Sequence, residues 1–360
     1  MILRATHKLA ACGLLAAALL TTRQLNAQNL TLEGQTGGFL TPTAYVVYMD
    51  KGQAFSHPAI GFHFINTAKV IGNIETFSIT EAFFGRAEAG YTRSVHQSGN
   101  SGSSSASASV IPGGFSQLWN ASGMNVFHGK VVGIKDGQFG PWTPGVAIGG
   151  VVRTGDKFVT GEAAILATES LNAYCYYTGA YLIGACNPSV PLPAAKSYTN
   201  GDVYIAVTKT WAKKPVPFLA NIGWKATNAT IFGIGGQSSR FGGRLFGGLG
   251  IPLPLGHGIV AVPSAGFTQE PRTSMGLGAA SYTSLPLVAG KADLPTTMDY
   301  AVRVTLRENP HFAFDIGIGH VAGNIGAAPT FSFPTPTPTG TAPIDLQAQK
   351  VVGMGLSYRY

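Results

Sequence analysis

The sequence predicts an all-β fold: a transmembrane up-and-down antiparallel β-barrel of about 12 strands, within a range of 10–14. Charged residues make up only 11% of the chain, against roughly 25% in soluble domains. After the N-terminus, no apolar run reaches the ~18 residues of a membrane helix. Short segments of alternating polarity are instead joined by links that are alternately short and long, except that the first hairpin link, near 67–70, is short on the long-loop side. A barrel with one face toward lipid and one toward water produces all three features.

Residues 1–27 are predicted to be a secretory signal peptide. Arg4 and Lys8 precede an apolar run over 9–20, and Ala27 marks the expected cleavage site. Such a leader predicts export, and together with the barrel pattern it predicts a place in the bacterial outer membrane.

The next segment, 28–57, is polar and glycine-rich before it becomes apolar. Pro42 interrupts its only strand-like stretch and suits an interior strand poorly. We therefore expect this segment either to plug the barrel or to add an extra strand, and we expect the barrel itself to occupy 58–360.

Alternation with a period of two predicts twelve strands, most of them of ~9–11 residues, the length of a tilted membrane strand. They are predicted at 58–66, 71–80, 83–94, 123–135, 143–153, 201–211, 217–227, 243–253, 259–268, 297–307, 311–321 and 348–360. The long links between them are 95–122, 154–200, 228–242, 269–296 and 322–347. Up-and-down barrels place short turns in the periplasm and long loops outside, so both chain ends are expected at the periplasmic side.

The last strand carries the clearest alternation. Val352, Met354, Leu356, Tyr358 and Tyr360 occupy one face, and small or polar residues occupy the other. In a closed barrel the last strand must pair with the first and turn its apolar face toward lipid. The strand that ends at Tyr360 is therefore predicted to close the barrel and to be the segment engaged by the barrel-assembly machinery.

Charged side chains identify the inner face of each strand, because Arg or Lys facing lipid near the midplane costs ~2–4 kcal/mol. The predicted lumen-lining residues are Arg86, Glu88, His128, Lys130, Arg153, Lys225, Arg303, Arg307, Asp315 and Arg359. The same rule sends His63, Asp202, Tyr204 and Asn221 inward. A simple register places Arg303 opposite Asp315 and predicts an ion pair between them. Basic residues predominate in the inward set, so an open lumen would favour anions; the alternative is an interior filled with interlocking charge pairs.

Cys175 and Cys186 lie in the same long link. In an exported protein this pair is predicted to form a local disulfide, the alternative being two reduced thiols. No His accompanies them at zinc-ligand spacing, and the sequence implies neither a metal nor a cofactor. His320 is the one histidine placed near the outer rim on the lipid side, where a lipid-modifying hydrolase would need a base; a packing role is the alternative.

Five short motifs stand out along the chain: Leu32-Glu33-Gly34 with Gly37-Gly38, Val126-Phe127, the stretch 202–209, Lys225-Ala226-Thr227-Asn228 and the stretch 311–315. They recur in similar order in a bacterial family of uncharacterised proteins, and the sequence resembles that family over most of the chain after the signal peptide. The resemblance implies an outer-membrane barrel. It implies no functional residue, because the family has no assigned activity.

The function predicted from the sequence is an outer-membrane pore-like barrel that passes small polar, preferentially anionic, solutes by passive diffusion. The first alternative is a non-conducting structural barrel, or an accessory barrel of envelope or polysaccharide export. A lumen occupied by 39–48 or by 163–186 would favour that alternative. The second alternative is the rim hydrolase. The expected partners are outer-membrane lipid, the assembly machinery and small polar solutes, while the scattered basic residues indicate no nucleic acid.

Overall fold

The computed structural model of the chain describes residues 29–67, 72–97, 123–155, 199–211, 217–229, 233, 237–256, 259–271, 273–275, 290–306, 311–331, 338–345 and 349–359. The predicted signal peptide, the cysteine pair Cys175 and Cys186, and Arg307 lie outside this described part. Within it, no helix is long and apolar enough to cross a membrane.

The described residues form fifteen β-strands. They are β1 (Ala59–Thr67), β2 (Gly72–Phe83), β3 (Ala87–Gln97), β4 (Met124–Ile134), β5 (Gly145–Gly155), β6 (Thr199–Trp211), β7 (Phe218–Ala229), β8 (Gln237–Gly250), β9 (Leu253–Gly256), β10 (Ile259–Thr268), β11 (Thr273–Met275), β12 (Gly290–Leu306), β13 (Phe312–Phe331), β14 (Pro338–Asp345) and β15 (Gln349–Arg359).

All of these strands except β9, β11 and β14 form one closed antiparallel barrel. Each of the remaining twelve pairs with the next along the chain, from β1 through β8, then β10, β12, β13 and β15. The last strand returns to the first: Ala59 lies opposite Arg359, and Asn66 lies opposite Val352. The predicted twelve-stranded barrel, closed by its C-terminal strand, is confirmed.

The two faces of the barrel wall differ as the alternation predicts. Along β5, buried inward residues alternate with more exposed outward ones. Large apolar side chains are exposed on the outside, among them Phe77, Ile79, Phe127, Val131, Ile148, Val152, Val203, Ile222, Trp224, Ile316, Ile318 and Met354. So large an apolar surface on a closed barrel is typical of contact with lipid. The architecture is therefore that of an outer-membrane β-barrel.

Three strands extend further toward the long-loop end than the sequence indicated. β8 begins at Gln237, β12 begins at Gly290, and β13 continues to Phe331, where β14 pairs with it. These extensions fall inside the predicted links 228–242, 269–296 and 322–347. Beyond the membrane, both faces of a strand meet water, so the apolar alternation that reveals a membrane strand is lost.

Glycines on the inner face make room for large neighbours on the next strand. Gly149 lies directly opposite Tyr204, and a Cβ at this position would lie 2.4 Å from the tyrosine ring. Gly223 likewise lies directly opposite Phe246, and a Cβ at Gly223 would lie 2.1 Å from the phenylalanine ring. These glycines let the two aromatic side chains lie flat along the wall beside the candidate site.

A charge on the lipid-facing surface is expected to destabilise the barrel in a depth-dependent way. Ile148, in the middle of β5, is 60% exposed. Ile148→Arg should lower the free energy of unfolding by ~2–4 kcal/mol, as a charge near the midplane does. Urea unfolding in liposomes, monitored by tryptophan fluorescence, measures this free energy. The matched variant Trp142→Arg, in the exposed β4–β5 turn, should cost little, and equal losses at both positions would contradict the assignment of the lipid face.

Candidate functional site

An N-terminal segment, residues 29–47, lies inside the barrel and is here named the plug segment. Most of its side chains are buried, including Leu30, Leu32 and Val47. It makes two isolated bridges within itself, Leu30 to Thr36 and Gly37 to Pro42, and it is not a strand of the barrel. The segment therefore adds no strand to the barrel sheet, and its buried side chains lie against the inner face of the wall.

The plug segment enters and leaves at the end of the barrel that carries the short turns. Asn29, at its start, donates to Asp315 near the beginning of β13. Tyr45, near its end, donates to Asp136 in the β4–β5 turn at 2.7 Å. Between these points the segment extends toward the long-loop end of the barrel, where it contacts Arg153 near the C-terminal end of β5. The plug segment is thus a loop inserted from the predicted periplasmic side.

Gly34 forms the tight turn at the top of this loop. Its φ angle of +87° is a left-handed conformation that glycine adopts at little cost. A Cβ would also lie 2.4 Å from Oγ1 of Thr92, so the wall leaves no space for a side chain. Thr80 Oγ1 donates to the Gly34 carbonyl at 2.6 Å, and Thr92 Oγ1 donates to the Glu33 carbonyl at 2.9 Å. The strand threonines therefore satisfy the backbone of the turn.

The first charged cluster joins the plug segment to β3 and β4. Lys130 Nζ lies 2.9 Å from Glu88 Oε1, and both side chains are fully buried. Glu88 also accepts hydrogen bonds from the backbone N–H and the hydroxyl of Thr36, at 3.0 and 2.6 Å. Lys130 donates in turn to the carbonyls of Thr36 and Thr43. A buried ion pair needs such additional hydrogen bonds to offset the cost of desolvation, and here the plug segment provides them.

The second charged cluster is built around Arg153 of β5. Its Nη2 donates to Glu33 Oε2 of the plug segment at 2.8 Å and to Asp202 Oδ2 of β6 at 2.6 Å. Arg153 also pairs through Nε with the other oxygen of Glu33, so the contact is bidentate. Arg153 is only 1% exposed. The plug segment is therefore held at its tip by one of the strongest side-chain interactions available to a protein.

Further polar contacts tie the returning part of the plug segment to β6 and β7. The backbone N–H of Ala44 donates to Thr208 Oγ1 at 2.8 Å, and Asn221 Nδ2 donates to the Pro42 carbonyl at 2.9 Å. Burial raises the pKa of Tyr45 well above its usual range, so its hydroxyl stays protonated and donates to Asp136. These hydrogen bonds thus attach the plug segment mainly to the wall from β2 to β7.

A third charged cluster lies near the long-loop end of the lumen. Lys225 of β7 contacts Glu270, which follows β10, at 3.2 Å. Burial raises the pKa of Glu270, and the nearby Lys225 opposes that shift. Arg244 of β8 donates to the backbone carbonyl of Glu270 at 3.0 Å. This cluster joins β7, β8 and β10 without involving the plug segment.

Most predicted lumen residues whose side chains are described lie on the inner face. Those are Glu88, His128, Lys130, Arg153, Lys225 and Asp315, all buried. Four of them, Glu88, Lys130, Arg153 and Asp315, bond the plug segment. His128 Nε2 lies 3.2 Å from Thr80 Oγ1 beside the Gly34 turn, and Lys225 pairs with Glu270. Their role as the lining of an open pore stays a prediction.

The prediction that Arg86 lines the lumen is wrong, because Arg86 lies in a turn and not on the inner face of a strand. Phe84 and Gly85 have φ angles of +53° and +59°, the left-handed pair that closes a tight hairpin. The strand predicted from residue 83 therefore begins only at Ala87. Arg86 donates instead to the carbonyls of Val132 and Gly133 at the same end of the barrel.

The pairing of Arg303 with Asp315 is confirmed for the backbone, where the two residues lie directly opposite each other. The side chains of Arg303 and Arg359 lie outside the described part, so the predicted ion pair stays a prediction. Asp315 accepts a hydrogen bond from Asn29 of the plug segment, a partner that sequence reasoning did not identify.

Sequence reasoning missed the plug's own functional side chains, chiefly Glu33, Thr36 and Asn29. The available signal was a carboxylate in a glycine-rich stretch, Glu33-Gly34, ahead of a barrel with excess inward cations.

His320 lies on the outward face of β13, as predicted. The described residues contain no group of three or more His, Cys, Asp or Glu side chains able to hold a metal ion. The hydrolase stays a hypothesis.

No model of a known protein family and no curated protein matches the chain. Among solved structures, it is similar to KdgM porin at 6% identity and a TM-score of 0.40, covering 84% of this chain and 99% of that chain. The similarity to NanC porin has 7% identity and a TM-score of 0.39, covering 84% of this chain and 100% of that chain. The similarity to LpxR from Salmonella typhimurium has 8% identity and a TM-score of 0.39, with the same coverage of both chains. Similarities this low carry no argument about function, which rests on the chain's own residues.

Removing the Lys130 ammonium should loosen the plug segment. Lys130→Met leaves Glu88 buried without its cation and deprives two plug carbonyls of a donor. Breaking a buried pair in this way costs ~3–5 kcal/mol. Hydrogen exchange should then show much faster exchange over 29–47 than in the native chain. The control Lys135→Met alters an exposed lysine of the β4–β5 turn. Unchanged protection of the plug amides in Lys130→Met would show that other contacts hold the segment.

Proposed function

We propose that this chain is an outer-membrane porin-like barrel whose lumen is narrowed by its own plug segment, and that it passes small polar solutes by passive diffusion. The observation that carries the proposal is the joint hydrogen bonding of Glu33, Thr36 and Asn29 to charged wall residues. These contacts restrict the lumen with a segment of the same chain. A polar interior within an apolar exterior is the arrangement that channels of this kind require.

The route to the membrane is part of the proposal. Cleavage near Ala27 would leave the plug segment almost at the start of the mature chain, close to the point where Asn29 meets the wall. The apolar outer face of β15, which includes Val352, Met354 and Leu356, supports recognition by the barrel-assembly machinery and contact with outer-membrane lipid.

A preference for anions is the finer part of the proposal, and the structure limits its strength. The described lumenal cations Lys130, Arg153 and Lys225 each pair with a carboxylate. Paired charges produce a weak field for a passing ion. Any anion preference would then come from basic residues with no named carboxylate partner, such as Arg244, Arg303, Arg307 and Arg359, and we expect it to be slight.

A non-conducting structural barrel is the second candidate, and the occupied lumen favours it. The plug segment includes 39–47, a stretch whose presence in the lumen was expected to support this candidate. Its contacts extend over β2 to β7 and to β13. The two candidates differ in one measurable property, the conductance of the barrel with and without the plug segment.

Deleting residues 29–47, with Gln28 joined to residue 48, should raise single-channel conductance about three-fold or more, because it removes a protein segment from the conducting path. Planar-bilayer recording compares the deletion with the full chain, and heat-modifiable gel mobility shows that each barrel has folded. If the deletion does not fold, the paired variant Glu33→Gln with Lys130→Met tests the same point. Folded barrels that never conduct would favour the structural candidate.

The reversal potential under a KCl gradient should show only a slight preference for chloride. Arg303→Glu should move it toward potassium, because the residue lies opposite Asp315 on a strand of the barrel wall. Lys135→Glu, at the exposed turn, is the matched control and should leave the potential unchanged. A strong chloride preference that survives Arg303→Glu would contradict this assignment of the lumenal charges.

A further inference from the structure

One arginine breaks the rule that charge marks the inner face of the barrel. On β3, Thr92 and Ser94 are buried in the lumen, so Arg93 between them lies on the opposite, lipid-facing side. Its cross-strand neighbour on β2 is Phe77, which is 61% exposed on that side. The cost of an outward arginine falls from the midplane of the membrane toward the interface. We therefore expect the Arg93 guanidinium to reach the level of the lipid headgroups.

The register shows which residues of the neighbouring strands lie at the depth of Arg93. The row of paired residues that contains Arg93 runs across β2, β1 and β15 to Phe314 on β13. Followed round the barrel in the order β1 to β15, the pairing climbs toward the long-loop end, so this row descends as it approaches β13. Tilted strands shift equal depth by roughly one residue per strand or slightly more. The depth of Arg93 on β13 is thus about four to six residues beyond Phe314, close to His320.

Polar residues replace apolar ones on the outer face at this depth. Asn125 lies opposite both Arg93 and Thr154, on β3 and β5. One step closer to the midplane, Phe127 and Val152 are exposed and apolar. The polar residues at this level are here named the outer rim: Asn66, Glu75, Arg93, Asn125, Thr154 and His320. The outer rim therefore marks the end of the hydrocarbon region on the long-loop side.

Arg93 is held by its neighbours on the outer rim. Its Nη1 donates to Asn125 Oδ1 at 3.2 Å, and the Tyr91 hydroxyl donates to the same oxygen at 2.8 Å. The ring of Tyr91 packs against that of Phe127, with centroids 5.2 Å apart. A guanidinium has five N–H donors in a planar fork, so Arg93 can bond Asn125 and a phosphate group together. The arrangement presents a positioned arginine at the level of the headgroups.

The charges on the outer rim favour an anion. His320 and Lys350 lie opposite each other in the register of β13 and β15, so basic residues occur on both sides of the closing seam between β15 and β1. Among the described rim residues, Glu75 is the carboxylate, and it is a diagonal neighbour of Arg93 across β2 and β3. A phosphate is therefore expected on the Asn125 side of Arg93, where no described carboxylate lies on the outer face.

We propose that the outer rim binds the phosphate groups of a phosphorylated glycolipid in the outer leaflet of the outer membrane. Arg93 is the phosphate ligand, and Tyr91 and Asn125 are positioning residues that hold its guanidinium. The long-loop end faces outward in barrels of this kind, and phosphorylated glycolipid fills the outer leaflet there. This binding requires the barrel and its orientation in the membrane, and it does not depend on whether the lumen conducts.

Retention of lipid A by the full chain, refolded in detergent, tests the site. The probes are lipid A with both phosphates and the same lipid with both phosphates removed, each titrated and quantified by native mass spectrometry. Arg93→Gln keeps a side chain that can bond Asn125 but removes the charge. It should weaken binding of the phosphorylated form about ten-fold or more, the value of a charge-assisted hydrogen bond. Arg93→Lys should retain most of the affinity, and Lys135→Gln, in the exposed turn at the opposite end, should retain all of it.

The outcomes are distinct. Phosphate-dependent binding by the native chain that falls in Arg93→Gln and persists in Arg93→Lys supports the site. Equal binding of the two lipid A forms by the native chain, a comparison that needs no variant, overturns it, as does unchanged binding in Arg93→Gln. Phosphatidylglycerol that displaces lipid A at equal concentration overturns the assignment to a glycolipid. Gel mobility checks the folding of each variant, and single-channel conductance, which Arg93→Gln should leave unchanged, separates this result from the proposed function.

Discussion

Arg153 lies buried on the inner face of β5, between Glu33 of the plug segment and Asp202 of β6. A buried guanidinium is tolerated only where carboxylates and hydrogen bonds offset its loss of water, and removing one partner exposes the full desolvation cost. Asp202 alone would leave part of the guanidinium unsatisfied. The plug segment provides the second carboxylate, so the interior of this barrel is complete only when the N-terminal segment is in place.

The polar contacts of the plug segment are unevenly distributed around the wall. Thr80, Thr92, Glu88 and Lys130 hold it on the side of β2 to β4. Toward β8 and β10, the named contacts are fewer, and Phe246 and Thr268 line a small cavity beside the plug segment. The named hydrogen bonds and ion pairs therefore hold the plug segment chiefly against β2 to β7.

The barrel was predictable from the sequence because its signals are local. Lipid outside and polar groups inside impose alternation on every strand, and the apolar face of β15 marks the closing strand. The plug contacts were not predictable, because Glu33 and Arg153 are separated by 120 residues and no periodic pattern links them. Arg86 was misplaced for a different reason. Phe84 adopts a left-handed conformation although it is not a glycine, so nothing in the sequence marks the turn at that residue and the strand boundary was missed.

The position of the plug segment immediately before β1 has a consequence for the order in which the barrel is built. Closing the sheet joins β1 to β15 across almost the whole chain, and the entropy cost of bringing distant segments together rises with their separation. The plug segment already bonds to β2, β3, β4, β5, β6 and β7, so a half-built sheet can curl around it before the C-terminal strands arrive. A segment bonded to so many neighbouring strands could fix their curvature, and its contact with β13, from Asn29 to Asp315, requires the C-terminal half of the sheet.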